Sequence, residues 1–100
     1  MSTSISLPIL DRRVEDSHTK LLGLVQVSPD EIPGGINNLS GYLKSVKDLQ
    51  TEFVKLSTTL STTLIQRQAF GRAKEVRDQR HSVNSEVSEF KTQNSGLASI

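Results

Sequence analysis

The groups that could do chemistry in this chain are few, and their spacing is the first thing to weigh. There are two histidines, His18 and His81, and no cysteine. A metal site needs several donors converging on one point, with further groups holding them in place. One helical turn to either side of His81 stand Arg77 and Ser85, and around His18 stand Val14 and Leu22. Neither histidine forms an i, i+4 pair of ligands, so packing or surface placement is expected of both. Without cysteine, disulfides, thiolate nucleophiles and cysteine metal sites are excluded. The adjacent acids Glu15-Asp16 and Asp30-Glu31 point apart on a helix and suit a helix dipole better than acid–base work. Serine and threonine are plentiful, but a nucleophile needs a base oriented by a third group. No Gly-x-Ser-x-Gly elbow is present. The pair Gly34-Gly35 has neither a preceding strand nor a phosphate-loop lysine after it. The expectation is a protein that is not an enzyme, with no cofactor and no metal.

The basic run RQAFGRAKEVRDQRH, residues 67–81, is the other candidate for chemistry. It holds Arg67, Arg72, Lys74, Arg77 and Arg80 around Phe70. A nucleic-acid surface would gather such charges on one face. At 100° per residue they scatter, and Glu75 and Asp78 dilute them. Across the whole chain 12 basic residues meet 11 acidic ones, a net charge of +1, which does not favour nucleic acid. A solvated, salt-bridged face is expected instead. Arg80 stands apart because it interrupts a valine stripe, where it would snorkel or pair with an acid on a partner helix.

The elements that must carry these residues follow from the apolar pattern. Hydrophobic residues make up 34% and aromatics 4% of 100 residues, a thin supply for one small core. A partner or a second copy would complete the burial. The densest apolar stretch, LLGLV at 21–25, falls far short of the ~20 residues a membrane helix needs. The start, MSTSISLPILDRRV, has no basic region before a short apolar run broken by Pro8, unlike a secretory signal. The expected compartment is the cytoplasm, or the outside by export without a cleavable signal peptide, with no membrane insertion.

Leu10, Val14, His18, Leu21, Leu22 and Val25 predict an amphipathic helix over residues 8–27, opened by Pro8. SPDEIPGG, 28–35, reads as a connector containing one capped turn, with Ser28 and Glu31 as a capping box. From Ile36 the positions Ile36, Leu39, Leu43, Val46, Leu49, Phe53, Leu56, Leu60 and Leu64 step by threes and fours. Within them LSTTLSTTL is ambiguous, since a four-residue return is also twice the strand period. The stripe enters it in helical phase, and no downstream segment offers a partner strand, so a helix over 36–67 is predicted. Ala73, Val76, Val83, Val87 and Phe90 make a second stripe on a third helix, 72–92. The two stripes share no continuous register. A fold-back near 67–72, with Gly71 supplying the backbone freedom, lets them face each other. The alternative is one straight helix, about 80 Å long at 1.5 Å per residue. Residues 93–100 read as a flexible tail.

This pattern of about 100 residues, no cysteine and two helices meeting at Ala69-Phe70-Gly71 resembles the small helical-hairpin proteins of type VII secretion. These include the Trp-x-Gly family and the accessory partners of LXG toxins. The turn lacks the tryptophan, and the family's C-terminal Tyr-x-x-x-Asp/Glu export signal has only an echo in Phe90 to Asn94. The resemblance implies a non-catalytic protein that pairs its helices with a partner's and is recognised by export machinery. The overall expectation is an all-α helical hairpin with a shorter N-terminal helix and coiled-coil-like packing. Its function would be protein–protein interaction, as a secretion partner or chaperone-like adaptor. The expected partner-binding residues are Leu43, Val46, Leu49, Phe53, Leu56, Leu60, Leu64 and Phe70 on one side. Val76, Arg80, Val83, Val87 and Phe90 form the other. The rivals are a self-associating coiled-coil subunit built on the straight helix, and a nucleic-acid accessory protein using residues 67–80.

Overall fold

The computed structural model describes residues 6–98, apart from the side chains of Pro29, Ile36 and 95–98. Three helices, α1 Leu7–Val25, α2 Leu39–Gln66 and α3 Phe70–Ala98, make an all-α fold. No strand occurs among the described residues.

α1 forms because its apolar positions recur once per turn. Leu10, Val14, Ser17 and Leu21 are buried on one face. Ser17 is the unexpected member; its hydroxyl donates to the Val14 carbonyl at 3.1 Å, so burial leaves it satisfied. At the far end the last-turn carbonyl of Leu24 accepts the Tyr42 hydroxyl at 2.6 Å. This answers one of the acceptors a helix C-terminus leaves unpaired and ties α1 to the start of α2.

The connector runs longer than the sequence suggests. Two short 3₁₀ turns, Pro29–Glu31 and Gly35–Asn38, lie between the helices. The first carries the glutamate half of the expected capping box: the Ser28 amide donates to Glu31 Oε1, while the Glu31 amide donates to the Ser28 backbone carbonyl, both at 2.9 Å. The Ser28 amide also holds the Glu31 carboxyl below its ordinary pKa. Gly34 and Gly35 both take positive φ, and a Cβ on Gly34 would come within 2.7 Å of Asn38 Cβ. Asn38 in turn donates through Nδ2 to the Pro33 carbonyl at 2.8 Å. The left-handed pair and this bond hold residues 35–38 in a tighter turn, so α2 begins at Leu39 and not at Ile36. Ile32 closes the end of the core.

α2 and α3 are the long pair. On α2 the buried residues are Leu39, Tyr42, Val46, Phe53, Ser57, Leu60, Ser61 and Leu64. On α3 they are Ala73, Val76, Val83, Val87, Phe90 and Asn94. Steps mostly of three, four and seven on both helices give the seam expected of coiled-coil-like packing. Ser57 and Ser61 donate to the carbonyls of Val54 and Thr58, each at 3.1 Å. These small side chains face the part of α3 that starts with Ala73. The quoted LSTT repeat is helical throughout.

The fold-back lies within the expected 67–72 stretch, between Gln66 and Phe70, but Gly71 is not its hinge. Gln68 supplies the positive φ, at 63°. Its amide donates to the Ile65 carbonyl at 2.9 Å and the Ala69 amide to the Leu64 carbonyl at 2.8 Å. That pair of bonds is a Schellman cap with glutamine at the position glycine usually holds. Gly71 instead lies inside the first turn of α3, with open space where its Cβ would be. α3 also continues through Ala98, so residues 93–98 are helical where a tail was expected. Residues 99 and 100 lie outside the described residues. The molecule measures 50 × 26 × 17 Å, which excludes the straight 80 Å rod.

Two predictions test this account. Leu60 is fully buried, so Leu60→Ala should lower the unfolding free energy in urea by about 2–5 kcal/mol; no change would remove Leu60 from the core. At the turn, Gln68→Gly should stabilise by about 0.5–1 kcal/mol by relieving the left-handed residue. Gly71→Ala should also stabilise, by ~0.5 kcal/mol. Were Gly71 the hinge, its replacement would destabilise.

Candidate functional site

The expected binding stripes have found each other. Val46, Phe53, Leu60 and Leu64 of α2 are buried, and so are Val76, Val83, Val87 and Phe90 of α3. Together with Leu10, Val14 and Leu21 of α1 they form one core. Leu43, Leu49 and Leu56 are partly buried along its border. Arg80 is also partly buried. Of the residues expected to meet a partner, Phe70 alone is fully on the surface, 61% exposed. A partner that meets the folded chain therefore reaches Phe70 and the borders of the seam. The seam itself is closed.

Where large apolar side chains remain outside is therefore informative. Among the described residues they are Ile9, Ile65 and Phe70, 53%, 51% and 61% exposed. The helix order brings all three to one end of the bundle. α1 runs antiparallel to α2, which the Tyr42 contact with Leu24 fixes at the opposite end. Ile9 thus sits near the turn that separates Ile65 from Phe70. The sequence missed Ile9 and Ile65 because each adjoins residues that are buried.

The basic run is divided between two faces of α3. Arg72 turns to α1. Its Nη2 donates to Asp11 Oδ1 at 2.7 Å and to Glu15 Oε2 at 3.0 Å, and its Nη1 to Glu75 Oε1 at 3.2 Å. The bond to Asp11 raises the guanidinium pKa most; burial, next in size, opposes it, and the bonds to Glu15 and Glu75 add to the rise. Gln79 Nε2 adds a 3.4 Å bond to Glu15. No helical period could pair Arg72 with Asp11 across 61 positions; tertiary structure alone does so.

Lys74, Arg77 and Arg80 turn the other way. With Ser61 and Ile65 of α2, and Phe70 and Ala73 of α3, they line a cleft of about 400 Å³. The expectation that these charges scatter thus holds for Arg72 and fails for the other three. Lys74 pairs with Asp78 at 2.8 Å and lowers that carboxyl's pKa. Arg80 has a buried Nη1 with no hydrogen-bond partner. Neither Arg77 nor Arg80 forms an ion pair among the described residues. Two further clefts differ in character. One, of about 290 Å³ between α1 and α2, alternates Arg13, Asp16, Lys20 and Glu52 and so compensates itself. The other, of about 190 Å³, gathers Glu86 and Glu89 beside Val25.

The remaining candidates are placed simply. His18 stacks on Phe53 with ring centroids 5.6 Å apart, and His81 is exposed. Among the described residues no group of three or more His, Cys, Asp or Glu could hold a metal ion. No described helix is long and apolar enough to cross a membrane. Phe90 and Asn94, the echo of an export signal, are both buried. Asn94 Nδ2 donates to the Phe90 carbonyl at 2.8 Å. A receptor reading those two side chains would have to meet α3 unpacked.

The Arg72 cluster should behave as a part-exposed ion network. A double-mutant cycle of Arg72→Met and Asp11→Asn, followed by urea unfolding, should give a coupling of about 0.5–1 kcal/mol that shrinks in 1 M salt. Zero coupling at low salt would show that the cluster does not hold α1. Comparison with family models, with curated proteins and with solved structures finds no match to this chain.

Proposed function

We propose that this chain is a non-catalytic helical module that acts by binding another protein through the end of the bundle where α2 turns into α3. The observation that carries the reading is the position of Phe70. It is the most exposed large apolar side chain among the described residues, and it stands at the mouth of the α2–α3 cleft opposite Ile65. A chain with so few aromatics gains nothing for its own stability by leaving one in water. Aromatic side chains on a surface are, by contrast, the usual anchors of protein interfaces.

The finer form of the proposal is an adaptor or secretion partner, as in the small helical-hairpin proteins the sequence resembles. The antiparallel α2–α3 pair supports that form. The binding mode differs from the one expected at first. The long stripes serve the chain's own core, and the partner is met at the hairpin end. A purely structural coiled-coil subunit lacks the straight helix it requires.

The test is a photo-reactive amino acid placed singly at Ile9, Ile65 or Phe70 in the chain's native cells. Ser85, exposed on the far half of α3, serves as control. Positions 65 and 70 should yield the same discrete protein adduct and Ser85 none. Adducts absent from all three test positions, or equal at the control, would end the proposal.

A further inference from the structure

We infer that the α2–α3 cleft takes a short acidic, amphipathic segment of a partner protein, its apolar side chains set on Ile65 and Phe70 and its carboxylates on Lys74, Arg77 and Arg80. This rests on the binding reading above and adds the chemistry of the partner.

Charge carries the argument. Three cations line one side of a cleft whose other lining is apolar or hydroxylic, and no carboxylate is among the lining residues. Asp78 offsets Lys74 from outside, at 2.8 Å. Arg77 and Arg80 form no ion pair among the described residues, Arg77 feeling Asp78 only at longer range, and Arg80 Nη1 is buried without an acceptor. Withholding one guanidinium nitrogen from both water and acceptors is costly. A carboxylate entering the cleft meets that delocalised charge and relieves the cost. The other two clefts lack this bias, one holding both signs and the other two glutamates.

The length of the cleft bounds the ligand. Phe70 to Arg80 spans about 15 Å at 1.5 Å per residue, room for a helix of about ten residues. An apolar stripe laid on Ile65 and Phe70, with acids on its flank, is the complement of that surface. A second copy docked cleft to cleft about a two-fold axis would set Arg77 and Lys74 against their own counterparts, which like charges oppose. Nucleic acid would need a longer row of cations. Arg72, the next one, is already engaged by Asp11, Glu15 and Glu75 on the opposite side.

The experiment measures fluorescence anisotropy of the full chain with a labelled twelve-residue helix-forming peptide bearing leucines on one face and glutamates beside them. Comparators are the same peptide with lysine for glutamate, a twelve-nucleotide oligothymidine, and vesicles of phosphatidylcholine with phosphatidylserine. The glutamate peptide should bind at least tenfold tighter than each comparator. Its affinity should fall at least tenfold in Arg77→Glu, severalfold in Arg77→Gln and in Phe70→Ala, and further with added salt. Both Arg77 and Phe70 are exposed, so circular dichroism should show these variants folded. Equal binding of the lysine peptide overturns the inference. So does preference for oligothymidine or vesicles, indifference to Arg77→Glu, or a concentration-dependent dimer by sedimentation that Arg77→Glu abolishes. A partner cross-linked at Phe70 through a segment without acids would overturn the acidic ligand and leave the binding reading intact.

Discussion

Two helical faces on one short chain, each an apolar stripe at helical spacing, are stable only if they meet. Everything else in this fold depends on the three residues, Arg67 to Ala69, that let them do so. The cap they form returns the orphan carbonyls of Leu64 and Ile65 to hydrogen bonds and reverses the chain. It does this with a glutamine in the left-handed region. Side-chain crowding there costs about 1–2 kcal/mol. The turn is held because the seams on either side of it gain more by closing.

The seam carries polar residues at regular intervals. In α3, Ala73, Arg80, Val87 and Asn94 fall seven residues apart, so every second position of that row is polar. Arg80 Nη1 and Asn94 Oδ1 are buried without hydrogen-bond partners, as is Gln79 Oε1 on the neighbouring row. Polar groups in such positions are a known means of specifying register at some cost in stability. On α2 the corresponding concessions are Ser57 and Ser61, whose hydroxyls are satisfied by their own helix. Near the other end of the seam Tyr42 and Phe90 meet with ring centroids 6.0 Å apart.

α1 is joined to this pair at both ends by polar contacts. Tyr42 holds its last turn and Arg72 its first turns. The hydrophobic face of α1 supplies the rest, with Val14 and Leu21 fully buried. Arg72 is committed to α1, while Lys74, Arg77 and Arg80, at steps of three along α3, line the cleft beside Phe70. One ion cluster thus both fastens α1 and takes Arg72 out of the charges left to meet a partner.

The amino-acid order alone determined that the chain is helical, that it has three helices, and which stripes are apolar. Those follow from hydrophobic periodicity and from the absence of proline after residue 33, both local properties. Capping by Ser28 and Glu31 was legible for the same reason. The start of α2, the hinge at Gln68 and the helical 93–98 segment were not. Glycine marks where a left-handed residue is easy, and does not show where tertiary packing will force one. The candidate site was half visible: Phe70 and Arg80 stood out, while Ile9 and Ile65 did not. Which arginine is taken out of the run is decided by how α1 lies against α3, because carboxylates 61 and 57 positions away hold Arg72, while Lys74, Arg77 and Arg80 line the cleft with α2. The i, i+3, i+6 spacing of Lys74, Arg77 and Arg80 was there to be read, but no spacing within a single helix contains the pairing of Arg72 with α1.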